Sequence, residues 1–113
     1  MMPRDTNAEG TIFGGVILSL IDQAAYVEAV RQAHQRYVTV SMNTVVFHHP
    51  VFVGDVLSLY ADAVKIGRTS ITIHVRVCAR RRNDPDADVK VTEAEVVFVA
   101  IGERGKPVPV LGE

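Results

Sequence analysis

Several features are scarce in this 113-residue sequence, and each scarcity argues against a class of protein. Cys78 is the single cysteine, so no disulfide can form within the chain, and the sequence fits a reducing compartment. Lysine and arginine (12 residues) do not outnumber aspartate and glutamate (13 residues), and the formal net charge is −1. The chain therefore lacks the overall basic field that holds nucleic acid.

Long apolar runs are also missing. The most apolar stretch, residues 16–30, is interrupted by Asp22 and Glu28 and is shorter than the about 20 apolar residues of a membrane span. Residues 1–10 show no charged-then-apolar run of a secretory signal. We therefore expect a cytoplasmic protein without a membrane segment. With 48% hydrophobic and 22% charged residues, the composition is typical of a globular protein, and the length predicts one domain over residues 1–113.

One long helix is predicted from Thr11 to about His34. Apolar residues recur there every three or four positions, in two adjacent rows. The first row consists of Val16, Leu20, Ala24 and Val27, and the second of Ile17, Ile21 and Ala25. Apolar residues thus cover most of the circumference as far as Val30, which is typical of a buried helix.

Beyond the helix, apolar and polar residues alternate with the period of two that predicts strands. Four such strands lie around residues 38–43, 57–63, 71–80 and 89–101. Gly67 indicates a tight turn between the second and third strands. The polar stretch 80–88 (RRRNDPDAD) predicts a loop between the third and fourth.

One long helix followed by four long strands predicts an α+β fold, in which an antiparallel sheet wraps around the helix. A single helix covers only one face of such a sheet. The second face and the sheet edges would remain exposed in a monomer, so the pattern predicts a homo-oligomer.

Several segments resemble hotdog-fold acyl-CoA thioesterases, in particular the branch of the bacterial YciA-type enzymes and the cytosolic acyl-CoA hydrolases. They are the segment 5–15 (DTNAEGTIFGG) with the helix residue Asp22, then 36–40 (RYVTV), 47–55 (FHHPVFVGD) and 65–70 (KIGRTS). The similarity runs along nearly the whole chain in the same order. The resemblance implies a homodimer as the minimal unit, assembled further into hexamers in many members. Family members usually have a strand before the Asp-Thr-Asn segment, and only four residues precede Asp5 here.

Asp22 is the first candidate catalytic residue. A carboxylate in the middle of an apolar helix is expected to be partly desolvated, and desolvation raises a carboxyl pKa and makes a better general base near neutral pH. A structural aspartate at a dimer seam is the alternative. The resemblance implies that Asp22 activates water against a thioester carbonyl or attacks that carbonyl directly.

Three further residues complete the predicted catalytic set. Gly14 and Gly15 stand at the helix start, where free backbone N–H groups could polarise a carbonyl oxygen, although close packing also favours glycine. The resemblance assigns carbonyl polarisation to this turn. It also implies that Asn7 enters the site opposite Asp22 of the partner protomer, whereas the residue type alone fits an ordinary loop turn.

The predicted coenzyme A contacts lie around the Gly67 turn. They are Lys65, Gly67, Arg68, Thr69 and Ser70. A guanidinium group pairs bidentately with phosphate oxygens, and the hydroxyl groups add donors. Exposed basic residues at a turn are otherwise simply solvated, which is how we interpret the run Arg80, Arg81 and Arg82.

We expect no metal and no cofactor besides the coenzyme A of the substrate. His48 and His49 are adjacent in a strand-like segment, so their side chains point apart, and no other histidine or cysteine has zinc-ligand spacing. The predicted function is hydrolysis of acyl-CoA thioesters. A non-catalytic acyl-CoA-binding sensor is the alternative. A dehydratase is disfavoured, because His48 and His49 are expected beside a turn rather than beside the helix start.

Overall fold

The computed structural model of the chain describes residues 14–81 and 84–112, with the side chains of all of these except 84–87. One helix, α1 (Gly14–Gln32), precedes four strands, β1 (Arg36–Phe47), β2 (Val56–Ile66), β3 (Ser70–Arg81) and β4 (Asp84–Ile101). The strands form one antiparallel sheet in the order β1-β4-β3-β2. The predicted α+β fold, with one long helix against a long-stranded antiparallel sheet, is confirmed.

The core lies between α1 and the two central strands. Alternate side chains of β3 and β4 point toward the helix and are buried, because successive strand residues face opposite sides. They are Ile71, Ile73, Val75, Val77 and Ala79 from β3, with Ala94, Val96, Phe98 and Ala100 from β4. Each large aliphatic side chain buried in this way contributes about 1.5–3 kcal/mol. The cleanest alternation in the sequence therefore marks the centre of the fold.

Of the two predicted apolar rows of α1, the second is buried in this core, whereas Leu20 and Ala24 of the first only partly pack against it. Ile17 and Ile21 are buried, whereas Val27 of the first row is 67% exposed and its neighbour Tyr26 is 40% exposed. The prediction of a helix buried on most sides is wrong for one protomer, because a single sheet covers one side of a helix. α1 ends at Gln32, and the predicted start at Thr11 lies outside the described residues.

The two predicted connections have different outcomes. The Gly67 turn is confirmed, because the Gly67 N–H donates to the Ser70 carbonyl over 2.8 Å. A Cβ at Gly67 would lie 2.9 Å from Ser70 Oγ, so glycine is required there. The bounds of the predicted loop 80–88 are wrong, because β3 continues to Arg81 and β4 already begins at Asp84; residues 82–83 lie outside the described residues. Proline at position 85 is compatible with β4 because β1 pairs with β4 only as far as Thr92, which leaves one side of the backbone without a strand partner.

The C-terminal segment folds back over the Gly67 turn, a contact that the sequence did not predict. After a short 3-10 turn (Glu103–Gly105), the Val108 N–H donates to the Ala100 carbonyl and the Val110 N–H to the Arg68 carbonyl. The Val110 side chain is fully buried. The turn predicted to bind coenzyme A is thus fixed by two neighbouring strands and by the chain end.

β1 is an open edge of the sheet. Within the described part of the chain it pairs only with β4, and it exposes apolar side chains such as Val38, Val40 and Phe47. The pairing with β4 shifts register twice, and Thr44 in the second shift has a positive φ of 50°. An unpaired apolar edge favours pairing with another chain. In residues 14–81 and 84–112, no helix has the length and apolarity needed to cross a membrane.

Candidate active site

Asp22 lies on the side of α1 that faces β1. The residue as a whole is half-buried, and its Oδ1 accepts an exposed hydrogen bond from the Thr39 hydroxyl over 2.8 Å. Thr39 lies on the open edge strand and is exposed in the protomer. The carboxylate is therefore oriented by one neighbour and faces the edge at which a second chain could pair. The contribution of Thr39 was not predicted.

Gly14 and Gly15 form the first described turn of α1, as predicted. The N–H groups of a first helical turn have no partner within the helix, so they are available to an incoming oxygen. A Cβ at Gly14 would lie 3.3 Å from the Phe47 ring, whereas a Cβ at Gly15 would meet nothing within 4 Å. Close approach of backbone and ring therefore explains glycine at position 14, whereas packing among the described residues gives no reason for glycine at position 15.

A cavity of about 230 Å³ opens beside this first turn. It is lined by Gly14, Ile17, Phe47, His48, His49, Pro50 and Val51. The lining is mostly apolar, with two imidazoles as its polar side chains. A small apolar pocket with a few polar groups is typical of a small-molecule site.

The cavity overturns one expectation from the sequence. His48 and His49 lie beside the helix start, not away from it, because the segment after β1 turns back toward Gly14. Both of their backbone N–H groups donate to the Val91 carbonyl, which holds this segment against β4. The positional argument against a histidine at the site was therefore wrong.

His48 also has a carboxylate partner that the sequence did not indicate. Its Nε2 lies 2.8 Å from Glu93 Oε2, and Lys90 Nζ lies 2.8 Å from the same oxygen. His74 Nε2 approaches Glu93 Oε1 at 3.4 Å. Hydrogen bonds from Lys90 and His48 lower the pKa of Glu93 from 4.5 to about 2. Glu93 is therefore ionised at neutral pH and can only accept hydrogen bonds.

The five predicted coenzyme A contacts lie together at the β2–β3 turn. Arg68 and Lys65 are exposed there, and Thr69 and Ser70 are half-buried. The Arg68 carbonyl accepts a hydrogen bond from the Val110 N–H, and the Thr69 carbonyl accepts one from the Ala100 N–H of β4. The Arg68 side chain therefore projects from a fixed backbone. A fixed turn with an exposed guanidinium is suited to bind phosphate. The basic run that begins at Arg80 was predicted to be solvated. Arg81 departs from this prediction, because it forms a largely buried ion pair with Asp55.

The predicted catalytic residues are not all brought together within one protomer. Gly14 and Asp22 are eight residues apart on one helix, or about 12 Å along its axis. Their neighbours on β1 are also far apart. Phe47, beside Gly14, pairs with Thr92 of β4, and Thr39, hydrogen-bonded to Asp22, pairs with Phe98. Thr92 and Phe98 are about 20 Å apart along β4. An oxyanion donor and a base for one carbonyl must each lie within about 3 Å of the reacting atoms. One protomer therefore cannot supply both.

We name the two regions by their residues. The cavity end comprises Gly14, Phe47 and residues 48–51. The carboxylate end comprises Asp22, Thr39 and residues 67–69. The turn 67–69 belongs to this end because Ser70, which follows it, pairs with Val99 of β4, next to the Phe98 that pairs with Thr39. Asn7 lies outside the described residues. Within those residues, no three His, Cys, Asp or Glu side chains are grouped so that they could hold a metal.

Comparison with known proteins agrees with this architecture. A family model described as the thioesterase superfamily matches residues 9–86. The acyl-CoA thioester hydrolase YciA of Salmonella typhimurium is 44% identical over 110 residues, which cover 96% of this chain and 83% of the relative. A hexameric hotdog fold thioesterase of Campylobacter jejuni matches with a TM-score of 0.87 at 44% identity, over 96% of this chain and 84% of that one.

A third relative has been solved with ligands. The acyl-CoA hydrolase of Staphylococcus aureus, in complex with butyryl coenzyme A and with coenzyme A, matches with a TM-score of 0.89 at 30% identity. The match covers 99% of this chain and 68% of that one. The helix, the four-stranded sheet and these matches lead to one conclusion. The chain belongs to the thioesterase superfamily and has the hotdog fold.

Proposed function

We propose that the chain hydrolyses acyl-CoA thioesters to free coenzyme A and a carboxylic acid. The observation that supports this most directly is the carboxylate of the half-buried residue Asp22, oriented by Thr39 beside an open strand edge in a thioesterase-superfamily chain. The oxygen of water bonds to the carbonyl carbon, the carbon–sulfur bond breaks, and a proton passes to the sulfur. Asp22 takes the proton from that water. In the alternative route Asp22 attacks the carbonyl itself, expels the thiolate and forms an anhydride, which water then hydrolyses to release the acid and restore the carboxylate. In both routes the Gly14 and Gly15 amides stabilise the oxyanion.

In this proposal two copies of the chain complete each site. Antiparallel pairing of β1 with β1 of a second copy sets the beginning of one strand beside the end of the other. The carboxylate end of one copy then meets the cavity end of its partner. Asp22 of one copy and Gly14 of the other can therefore act on the same carbonyl group. The exposed apolar side chains of β1 support such pairing. Asn7 joins the site from the copy that supplies Gly14, opposite the Asp22 of its partner.

Coenzyme A itself is placed at the β2–β3 turn. Arg68 and Lys65 neutralise its phosphates, while the Gly67 turn, Thr69 and Ser70 supply additional polar contacts. This arrangement needs no metal and no cofactor other than the coenzyme A of the substrate. It also fits the cytoplasm, where acyl-CoA hydrolases act on their substrates and a single unpaired cysteine such as Cys78 stays reduced.

A thiol-release assay with a panel of acyl-CoA substrates tests the proposal. Loss of a general base costs about 10²–10⁴-fold in rate, so Asp22→Asn should lose that much turnover while its oligomeric state is unchanged. Asp62→Asn, which neutralises an exposed aspartate on β2, is the matched control and should retain full turnover. Tight binding of acyl-CoA without thiol release by the wild type would identify the alternative, a non-catalytic binder. Full turnover of Asp22→Asn would refute the role of this residue.

Mixing two inactive variants tests the shared site. Gly14→Val blocks the cavity end and Asp22→Asn disables the carboxylate end, so each homodimer should be inactive. A mixed dimer has one site with both residues intact, and random mixing should restore about a quarter of wild-type activity. If both groups acted within one protomer, every site would keep one defect and mixing would restore nothing.

A further inference from the structure

The cavity beside Gly14 is open to the surface and large enough for only part of a substrate. Its volume of about 230 Å³ corresponds to about seven or eight groups the size of a water molecule, at about 30 Å³ each. Ile17, Phe47, Pro50 and Val51 make most of its wall apolar. A charged coenzyme A nucleotide does not suit such a wall. A short acyl chain that extends from a carbonyl held at Gly14 does.

One polar group on this wall has a defined hydrogen-bonding state. Glu93 accepts the hydrogen bond from His48, so the proton of the neutral imidazole is on Nε2. Nδ1 is then the bare nitrogen, and no partner for it occurs among the described residues. A neutral His48 ring therefore offers an acceptor to a ligand, and a protonated ring offers a donor. A hydroxyl group, which both donates and accepts, can pair with either form.

We infer that His48 is a specificity-determining residue, which selects short acyl-CoA substrates whose acyl chain carries a hydroxyl group near the thioester. This inference rests on the proposed thioesterase function and names its substrate class. The hydroxyl pairs with Nδ1 of His48, and Glu93 acts as a positioning residue that fixes the tautomer. The remaining acyl carbons contact Ile17 and Phe47.

The experiment compares 3-hydroxybutyryl-CoA with butyryl-CoA, two substrates that differ by one hydroxyl. One neutral hydrogen bond is worth a factor of about 3 to 10, so the wild type should favour the hydroxylated substrate in kcat/KM by about that ratio. His48→Leu should abolish the ratio by lowering kcat/KM for the hydroxylated substrate. His34→Leu, which replaces an exposed histidine between α1 and β1, is the matched control and should keep it.

Two more variants separate specificity from folding. If His48→Leu proves unstable, His48→Gln replaces it in the test. Glutamine keeps a polar group at the same place, so this variant should retain part of the ratio. Glu93→Gln replaces the charge-assisted hydrogen bond that orients the His48 ring with a weaker neutral one, which should reduce the ratio even when the variant is as stable as the wild type.

The outcomes distinguish this inference from the proposed function. Hydrolysis of both substrates at equal kcat/KM, or a ratio that survives in His48→Leu, would overturn the inference and leave the thioesterase function intact. An equal loss on both substrates would also overturn it and would point to a contact with the pantetheine amide. If neither substrate were hydrolysed, the inference would be overturned, and the absence of thiol release across the whole acyl-CoA panel would overturn the proposed function as well.

Discussion

The cavity end and the carboxylate end of the molecule differ in what they offer to a thioester. The cavity end has free helix N–H groups, an apolar pocket and the His48–Glu93 pair. The carboxylate end has Asp22, held by Thr39, and the exposed Arg68 at a fixed turn. Neither end has a full set of groups for hydrolysis. Because α1 spaces the two ends apart, the proposed active site requires a second copy of the chain.

The two ends are also held together differently. At the cavity end, Asp55 accepts hydrogen bonds from Arg81 and from the Phe52 N–H, with only 3% of its side chain exposed. The Arg81 guanidinium carbon also lies over the Phe52 ring, 5.2 Å from the ring centroid. At the carboxylate end, backbone hydrogen bonds from the chain end fix the turn instead. Substitution of a polar side chain should therefore loosen the first end more than the turn of the second.

The largest effect on stability is expected from Asp55→Ala. Removal of one partner of a buried ion pair leaves the Arg81 charge uncompensated, which should lower the free energy of unfolding by about 3 kcal/mol. Urea denaturation measures this change. Asp62→Ala, at an exposed position on β2, should cost less than about 0.5 kcal/mol. Equal costs for the two variants would show that the ion pair does not hold the cavity end.

The next effect should come from Val40→Asp on β1. A charge at this 55% exposed position on the open edge should prevent β1 pairing, dissociate the oligomer and lower turnover by more than about tenfold. Val64→Asp on β2 provides the control, because Val64 is similarly exposed at 53% on the opposite edge. Sedimentation velocity gives the mass of each variant. If only Val64→Asp dissociated, the copies would pair through β2, and the proposed shared site at β1 would be contradicted.

A smaller effect is expected from Arg68→Ala. An exposed ion pair with phosphate is worth up to about 1 kcal/mol, so KM for acyl-CoA should rise by up to about fivefold with little change in kcat. An acyl-pantetheine substrate lacks the nucleotide phosphates, and its kinetics should be the same in both proteins. If Arg68→Ala slowed that substrate as well, the arginine would act on something other than the phosphates.

The smallest effect concerns acid stability. The folded-state pKa of Glu93 is lowered from 4.5 to about 2, chiefly by the hydrogen bond from Lys90 and then by that from His48. Its stabilising contribution is therefore present above pH 4.5 and disappears as the pH falls through about 2. Wild type should lose more stability than Glu93→Gln across this interval in thermal unfolding. Parallel losses would mean that Glu93 is not stabilised as an anion.

The sequence predicted most of the secondary structure but not the ends of the elements. Alternation along Ile71, Ile73 and Val75 was sufficient for β3, because a buried strand must place every second residue in the core. The stretch 80–88 was misassigned to a loop. Its polar residues are tolerated in β4 since the partner strand β1 ends before them, and this depends on strand order rather than on local sequence.

Prediction of the candidate site was likewise partial. Asp22 and Gly14 were identified from their positions on the helix together with the family resemblance. Thr39 and Glu93 were missed, because a threonine or glutamate in an alternating strand looks like any other solvent-facing residue. Each acquires its role from a partner far away in sequence, 17 residues for Thr39 and Asp22 and 45 for Glu93 and His48.

By itself, the order of apolar and polar residues determined that this chain forms one helix and four antiparallel strands, since hydrophobic periodicity is a local property. Tertiary structure alone decided which row of α1 is buried, that His48 and His74 meet at Glu93, and how far Gly14 lies from Asp22. Those outcomes depend on how a rigid helix of fixed rise crosses a sheet of fixed strand order. Local spacing carries no information about that crossing.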